Sequence, residues 1–340
     1  MTAILHVTGR WGGGIATVVQ QYVESTPDLT HFLICEDNEW SVRDRREDLF
    51  EETWTLPSPV RSSIAAIRDV VARRGIDVVH AHSSHGGALV RLRGLPARVV
   101  YTPNAFATLA KRGSKEWMVG QTERLLGLRP IVIAAAGPDE LRLARRMSPR
   151  SKSLRIYNLP DQGLRPSAHH RPELAVAMAG RISPQKDPEF FAEVAEEARK
   201  TKRPYEFRWL GDGDASSRAT LESAGVGVSG WLPLQELHAE QARSQVYLHT
   251  ARYEGSCLSV LDAAALGLPT IGRPQPGVRD VPWLTHVESP REALAELDLL
   301  VDETWWTTCS QRSLAGVSEH TSGNLRRQLL DAYGLKCVVT

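Results

Sequence analysis

The sequence predicts an α/β protein of two domains, each built on a parallel sheet with helices on both faces. Short apolar, β-prone runs alternate with segments of helical periodicity along the 340 residues, as in chains of strand-helix-strand units. Near the middle, a stretch rich in proline and glycine interrupts this alternation and is typical of an exposed linker. The chain is long enough for a hydrophobic core on each side of that linker.

The linker sets the predicted domain boundaries. We expect an N-terminal domain over residues 1–158, a linker over 159–172 and a C-terminal domain over 173–317. The last segment, 318–340, contains a helical run with Gly334 placed to end it. Both domains are of ordinary size for independent folding units.

The amino-acid composition excludes several classes of protein. With 42% hydrophobic and 24% charged residues, the chain is globular rather than disordered or collagenous. No apolar run approaches the roughly 18 residues that span a bilayer, and the first residues, MTAILHVTGRW, lack the regions of a signal peptide. Four scattered cysteines without a C-x-x-C pair indicate reduced thiols rather than disulfides or structural zinc. We therefore expect a cytoplasmic protein.

Charge is unevenly distributed along the chain. Residues 1–166 contain 23 Lys and Arg against 17 Asp and Glu, whereas the remaining residues contain 18 against 23. Within the basic half, the segment from Lys111 to Leu126 combines basic residues with Trp117 and Met118. Such a segment either lies on an anionic membrane surface or is an ordinary surface helix. No nucleic-acid partner is expected.

Six apolar runs are predicted as strands of the N-terminal domain: residues 3–7, 31–35, 76–80, 98–101, 131–136 and 154–157. After the first run, Gly12, Gly13 and Gly14 precede an apolar helix. A glycine loop at a helix start lets the backbone approach a bulky anionic ligand. A plain tight turn explains the three glycines equally well.

Polar residues follow two later strands of this domain. The string HAHSSH, residues 80–85, superficially resembles a metal cluster. Because His80 and His82 share one strand face and no carboxylate is near in sequence, a polar strand end is the favoured interpretation. Asn104 follows the strand at 98–101, at the carboxyl end where open α/β sheets place ligand groups. An Asn that caps a turn is the alternative.

The C-terminal domain begins with a buried strand at 175–179, and a loop with two cations, Arg181 and Lys186, follows it. Two such cations can neutralise a diphosphate, since Arg offers a planar fork and Lys a point charge. A solvent-exposed loop is the alternative. A further strand, 207–210, leads into Gly-Asp-Gly-Asp at 211–214, which we interpret as a strand-to-helix loop rather than a metal site.

The run Val246–Ile271 predicts a strand, a turn and a helix. The turn brings Glu254 to the start of the helix, where the amides of Ser256, Cys257 and Leu258 can hold a phosphate. An acid beside an anion site favours a ligand with hydroxyl donors. Phosphate flanked by hydroxyls indicates a nucleotide sugar, and an ordinary strand-helix unit with a capping acid is the alternative.

Two of these motifs resemble the signature of retaining glycosyltransferases of the GT-B fold, especially family 4. Glu254 is followed by Gly255 and, after seven residues, by Asp262, where the family has Glu. The resemblance implies that Glu254 holds the donor sugar and Asp262 its ribose. The string GRISPQK, residues 180–186, is similar to the family's Gly-Arg and Gln-Lys sequence, which implies that Arg181 and Lys186 bind the donor's phosphates.

Looser similarities cover most of the remaining chain. They imply that Gly13 and Gly14 face the diphosphate, that His82 lies on the acceptor side and that Trp231 borders the nucleobase. Asn104 stands where the family usually has His, which implies a neutral hydrogen-bonding substitute at the donor sugar. The string that begins at Asn158 is similar to the family's Asn-x-x-Asp, so Asn158 either touches the donor or forms a hinge turn.

The resemblance implies two facing Rossmann-like domains, with the last helix crossing back to the N-terminal one. It also implies retaining transfer of a sugar from a UDP- or GDP-linked donor to a hydroxyl of a glycan, lipid-linked or small-molecule acceptor, as in polysaccharide biosynthesis, with no metal and no cofactor. The candidate catalytic residues are Asn104, Arg181, Lys186 and Glu254. A nucleotide-sugar epimerase of the same fold and a catalytically inactive sugar-nucleotide-binding protein remain alternatives.

Overall fold

A computed structural model describes residues 1–36, 47–110, 114–255 and 257–336. The chain forms two compact units, the first comprising Met1–Leu159 and His320–Thr340 and the second Pro160–Glu319. Each unit has its own parallel sheet and its own hydrophobic core. The predicted fold class, two parallel sheets with helices on both faces, is confirmed.

The first unit contains seven strands and six α-helices among its described residues. The strands are β1 (Ala3–Arg10), β2 (Thr30–Glu36), β3 (Glu52–Thr55), β4 (Val78–His82), β5 (Arg98–Thr102), β6 (Val132–Ala135) and β7 (Lys152–Arg155). The helices, numbered along the whole chain, are α1 (Gly13–Glu24), α2 (Val60–Arg74), α3 (Ser83–Leu92), α4 (Ser114–Leu126), α5 (Pro138–Met147) and α12 (Ser322–Tyr333). The sheet has the order β3-β2-β1-β4-β5-β6-β7.

The strand order of this sheet reverses between β1 and β4. Both strands are buried along nearly all of their length, because helices cover the two faces of the sheet. Open parallel sheets bind ligands at the carboxyl ends of the strands where the order reverses. The loops that follow β1 and β4 are therefore the places in this unit where a ligand site is expected.

The second unit contains six strands and six α-helices among its described residues. The strands are β8 (Ala175–Ala179), β9 (Glu206–Leu210), β10 (Gly227–Val228), β11 (Val246–His249), β12 (Thr270–Gly272) and β13 (Thr285–His286). The helices are α6 (Pro188–Lys200), α7 (Ala215–Ser223), α8 (Leu234–Ala242), α9 (Leu258–Ala265), α10 (Pro290–Leu299) and α11 (Glu303–Gly316). The sheet order is β10-β9-β8-β11-β12-β13, so its reversal lies between β8 and β11.

One helix and several strands differ from the sequence prediction. Helix α3 begins directly after His82, where we expected only a polar strand end. Its glycines, Gly86 and Gly87, lower its helical propensity, but added Cβ atoms would lie 2.7 Å from the Val7 carbonyl oxygen and 2.3 Å from the Tyr101 ring. Close packing against β1 and β5 thus determines this helix, not propensity. Two edge strands lack a clear apolar run: β3 was not predicted, and β7 begins two residues before the predicted strand. β4 begins two residues after its predicted start, and the short strands β10, β12 and β13 were not predicted.

Residues 156–174 contain no helix or strand. Helix α12 packs on the first unit, where the Arg98 side chain donates to the Ala332 carbonyl at 2.9 Å. Gly334, at φ 75°, ends the helix in the left-handed region that glycine favours. No helix in the described part of the chain is long and apolar enough to cross a bilayer.

Candidate functional site

A buried ion pair lies where the strand order of the second sheet reverses. Lys186 follows β8 and Glu254 follows β11, and Lys186 Nζ lies 2.5 Å from Glu254 Oε1. Their side chains are only 18% and 7% exposed. The sequence placed both residues in loops after strands, but it did not predict that each is the other's partner.

The pair holds both groups in their ionised forms. Burial disfavours the ammonium, but the Glu254 carboxylate outweighs burial and raises the pKa of Lys186 to about 12. Burial would also raise the pKa of Glu254, yet Lys186 and His249 lower it to about 2. A fixed positive and a fixed negative charge therefore stand side by side at the carboxyl edge of the sheet.

Close backbone contacts position Glu254. Its N–H donates to the Pro276 carbonyl at 2.9 Å. Gly277 has φ 84°, and a Cβ there would lie 2.0 Å from the Glu254 carbonyl oxygen. His249, the last residue of β11, is fully buried, and its Nε2 lies 3.4 Å from Glu254 Oε1. Only glycine at position 277 leaves room for this arrangement.

Lys186 is held by the loop on the other side of the reversal. A Cβ on Gly180 would lie 3.0 Å from Lys186 Cε, so glycine makes room for the lysine side chain. The Thr250 hydroxyl donates to the Lys186 carbonyl at 2.6 Å. Beside it, the Gln185 side chain donates to the Tyr253 carbonyl at 3.1 Å. These two hydrogen bonds connect the loop that contains Lys186 with the loop that contains Glu254.

The predicted phosphate cradle lies next to this pair. Helix α9 begins at Leu258, and its N-cap residue, Cys257, makes no side-chain capping bond. No side chain among the described residues accepts from the first-turn amides of Leu258 and Ser259, as expected at an anion-binding helix start. Ser256 lies outside the described residues.

Asp262 already has partners within the second unit. Its Oδ1 accepts the Asp161 N–H at 2.8 Å, and its Oδ2 lies 3.6 Å from His238 Nε2, just beyond hydrogen-bond distance. Burial lowers the pKa of His238, but the Asp262 carboxylate more than offsets this and raises it. A ribose contact for Asp262 stays a prediction, and the ribose would share this carboxylate with the Asp161 amide.

The other predicted donor residues of the second unit are exposed. Arg181 follows Gly180 directly after β8 and is exposed. Trp231 follows Gly230 (φ 72°) in the loop after β10 and is half exposed. A polar cavity of about 520 Å³ also occurs in this unit, but it lies at the first residues of β8 and β9, the opposite edge of the sheet from Lys186 and Glu254.

In the first unit, the glycine loop after β1 is open. Gly13 (φ 54°) and Gly14 begin α1 and are exposed, and a Cβ on Gly13 would meet nothing within 4 Å. The loop therefore has space for a ligand. Asn158 is different, since it is buried and its Oδ1 accepts the Tyr22 hydroxyl at 3.3 Å. Its donor contact stays a prediction.

His82 belongs to a buried histidine network, which we define as His6, His31, His80 and His82. His6 bridges the network, with Nδ1 3.0 Å from His82 Nε2 and Nε2 3.0 Å from His31 Nδ1. Burial lowers the pKa of all four rings, so they are neutral. His82 has no exposed surface, which argues against a direct acceptor contact, although that contact stays a prediction.

The histidines named from sequence do not form one group. His85 lies on the surface in α3, where its Nε2 is 3.0 Å from Glu36 Oε1. His80 Nε2 bonds the Thr102 hydroxyl at 2.8 Å, and its Nδ1 bonds the Tyr333 hydroxyl at 3.0 Å. Sequence reasoning missed His6, although the parallel pairing of β1 with β4 brings it level with His80.

Asn104 lies in a strained turn that a buried acid supports. Asn104 and Ala105 have φ values of 51° and 77°, a conformation that costs a non-glycine residue about 1 kcal/mol or more. Glu140 in α5 accepts the N–H groups of Ala105 at 2.9 Å and Ala136 at 2.7 Å. Burial raises the pKa of Glu140 to about 7. Sequence reasoning missed Glu140, and because both its oxygens bind backbone amides, its role is to hold the Asn104 loop.

Comparison with known proteins shows what the sequence and the fold are similar to. Residues 173–301 match the model of the family described as glycosyl transferases group 1. An uncharacterised 41.2 kDa protein in the cps region of Klebsiella pneumoniae is 23% identical over 288 residues, 79% of this chain and 80% of that protein. One of the subunits of the phosphatidylinositol N-acetylglucosaminyltransferase of Arabidopsis thaliana is 23% identical over 242 residues, 67% of this chain but 54% of that protein.

Two solved structures have the same fold. Anabaena HepE, in complex with UDP and glucose, has a TM-score of 0.79 at 14% identity, covering 98% of this chain and 100% of that one. Sucrose-phosphate synthase from Thermosynechococcus elongatus also has a TM-score of 0.79, at 15% identity, with 98% of each chain covered. Residues 173–301 thus match the glycosyl transferases group 1 family model, and the chain has the GT-B fold of these solved structures. Together these findings support a glycosyltransferase.

Proposed function

We propose that the protein is a retaining glycosyltransferase that uses a nucleotide-sugar donor bound at the Lys186–Glu254 pair. The observation that carries the proposal is the position of this pair, which is nearly buried at the point where the order of the second sheet reverses. The pair also lies within the residues that match the glycosyl transferases group 1 model. Nucleotide-binding α/β sheets place their ligands at this point.

The charges suit the proposed chemistry. As the bond between the sugar C1 and the diphosphate oxygen breaks, negative charge grows on the diphosphate, and the Lys186 ammonium with the Arg181 guanidinium stabilises it. The first-turn amides of α9 add neutral donors. Glu254 accepts from a sugar hydroxyl. In the front-side route, the departing phosphate takes the proton of the acceptor hydroxyl, whose oxygen forms the new bond to C1 on the same face.

The donor is a UDP- or GDP-linked sugar in this proposal. UDP is the better supported of the two, because the similar Anabaena structure contains UDP and glucose. We assign the acceptor to polysaccharide biosynthesis, since the Klebsiella relative comes from a cps region. The proposed acceptor is therefore a hydroxyl of a glycan or of a lipid-linked intermediate, and no metal or cofactor takes part in the proposed transfer.

Helix α4 is consistent with a lipid-linked acceptor at the inner face of a membrane. Trp117, Met118 and Leu125 are each more than 60% exposed on this helix. Glu123 does not oppose an anionic surface, because it is buried and its Oε2 lies 2.7 Å from Arg91 Nη2. The proposed contact is peripheral, with the apolar side chains inserted between headgroups. Lys111 and Arg112 lie outside the described residues, as does the side chain of Lys115.

A panel of UDP- and GDP-sugars tests the function. Transfer releases free nucleoside diphosphate, an epimerase returns a nucleotide sugar with an inverted sugar centre, and an inactive binding protein gives saturable binding without turnover. The proposal predicts nucleotide release with one donor, lost in Glu254→Gln. Release that is unchanged in Glu254→Gln would refute the assigned site.

A further inference from the structure

Three different metal-binding side chains converge beside the ion pair of the second unit. His249, Glu254 and Cys257 each direct one ligand atom to a common point, with all three atoms within 4.8 Å of one another. His249 Nε2 lies 3.4 Å from Glu254 Oε1 and 3.8 Å from Cys257 Sγ. All three residues are buried.

These separations are close to the edges of a zinc coordination tetrahedron. Zinc binds sulfur at about 2.3 Å, imidazole nitrogen at about 2.0–2.1 Å and carboxylate oxygen at about 2.0–2.2 Å. Tetrahedral angles with these bonds give a nitrogen–oxygen edge of about 3.4 Å and a nitrogen–sulfur edge of about 3.6 Å. These two separations therefore differ from the tetrahedral edges by about 0.2 Å or less, and the third, between Cys257 Sγ and the Glu254 carboxylate oxygen, is within 4.8 Å.

We propose that Zn²⁺ binds His249 Nε2, a Glu254 carboxylate oxygen and Cys257 Sγ, and that this binding inhibits the enzyme. Three protein ligands leave the fourth position for water or another small ligand. The ion binds the carboxylate oxygen that now faces Lys186, and it occupies the place where Glu254 would receive the donor sugar. The metal site stands on the geometry alone, whereas the inhibition rests on the function proposed above.

Binding must release a proton, because zinc takes the thiolate and Cys257 is a thiol in the folded protein. Burial, and after it the Glu254 charge, raises the pKa of Cys257 well above its ordinary value. The balanced step is Zn²⁺ plus the Cys257 thiol giving a zinc thiolate and one proton. Affinity therefore increases with pH.

The site suits a reversible regulator better than a permanently bound metal. Ligating histidines normally donate their second nitrogen to a neighbouring group, and loss of that partner costs about 10–100-fold in affinity. His249 Nδ1 is buried without a hydrogen-bond partner in the described part of the chain. The ion must also compete with Lys186 for the Glu254 carboxylate. Both features weaken binding relative to a structural zinc site.

Another group of possible ligands, His6, His80 and His82, lies in the first unit. It is a poorer site, because both nitrogens of His80 and the facing nitrogens of His6 and His82 are already in hydrogen bonds. It also lacks sulfur. A metal probe that reports thiolate coordination therefore distinguishes the two groups.

The test is a Co²⁺ titration of the full chain after treatment with a chelator. Co²⁺ replaces Zn²⁺ in such sites and gives a thiolate-to-cobalt absorption band in the near ultraviolet. We expect the band to saturate at one ion per chain, to disappear when Zn²⁺ is added, and to be absent in Cys257→Ser. The matched control, Cys309→Ser, removes another buried thiol of the same unit and should keep the band.

A wild-type chain without the band, or a Cys257→Ser variant that retains it, would overturn the metal site. His249→Gln should weaken the affinity at least 10-fold, and circular dichroism checks that each variant is folded. These absorption results do not depend on turnover, so they hold even if no donor is found. If a donor is found, Zn²⁺ should inhibit the wild type and Cys309→Ser alike, and full activity with the site occupied would refute the inhibition.

Discussion

Replacing Lys186 with alanine is expected to destabilise the second unit as well as to slow the reaction. The substitution leaves the Glu254 carboxylate, whose side chain is 7% exposed, without its main counter-charge. Truncating one partner of a buried pair is costly because the other charge stays buried and unpaired. The substitution therefore lowers the stability of the second unit in addition to removing a phosphate contact.

The magnitude follows from the pKa of Glu254, which the folded protein lowers from 4.5 to about 2. A difference of about 2.5 pKa units corresponds to about 3 kcal/mol at neutral pH, and the Lys186 charge is the largest of the effects that lower the pKa. The Glu254 carboxyl takes up its proton at a higher pH in the unfolded chain than in the folded one. The stabilisation is therefore complete above about pH 4.5 and is lost as the pH falls toward 2.

Hydrogen exchange followed peptide by peptide measures this loss in the second unit alone. At pH 7, Lys186→Ala should lower the opening free energy of the β8 and β11 peptides by about 3 kcal/mol. The double variant with Glu254→Gln should recover part of the loss, since no buried charge remains. Lys200→Ala, which removes an exposed lysine paired with Glu197, is the matched control and should change little.

Two results would refute this reasoning. One is a Lys186→Ala variant with the same exchange as Lys200→Ala. The other is a double variant destabilised by the sum of the two single changes, which would mean that Lys186 and Glu254 do not interact.

Three further predictions concern other parts of the molecule. The melting temperature of the first unit should be lower at pH 5 than at pH 8, because the four histidines of its buried network are neutral when folded and take up protons near pH 6.5 when unfolded, which outweighs the opposite effect of the single raised pKa of Glu140; a flat profile by circular dichroism would contradict this. Trp117→Ser and Leu125→Ser should each reduce cosedimentation with anionic vesicles, while the exposed control Leu299→Ser should not, and equal losses in all three would exclude α4 as the contact. Asp262→Asn should raise the KM for the donor with little change in kcat, as expected for lost uniform binding, and a fall in kcat alone would argue against a ribose contact.

The sequence predicts much of this fold because its central strands have a simple pattern. β1, β8 and β11 are short apolar runs followed by glycine or polar residues, and period-2 or run-type hydrophobicity identifies buried strands. Edge elements lack this signal. β3 is the half-exposed Glu52–Thr55, and its pairing with β2 comes from tertiary packing that no local pattern records.

The candidate site is predictable where residues follow a strand, and unpredictable where contacts join distant segments. Lys186 and Glu254 could each be named from motif spacing, but their ion pair spans 68 positions and depends on β8 and β11 being neighbours. His249 could have been found, since it ends β11 directly before the loop that contains Glu254. Nothing in the sequence around Glu140 indicates its role, because only the fold brings its carboxylate to the amide of Ala105.

The anomer first formed on hydrolysis tests the central claim most directly, because water replaces the acceptor and its identity is not needed. An α-linked donor accepted in the panel is incubated with the enzyme, and the released sugar is followed by proton NMR before its anomers equilibrate. Retaining transfer at the Lys186–Glu254 site predicts that the α-anomer appears first and that Glu254→Gln abolishes its release. Initial release of the β-anomer would contradict the proposed mechanism.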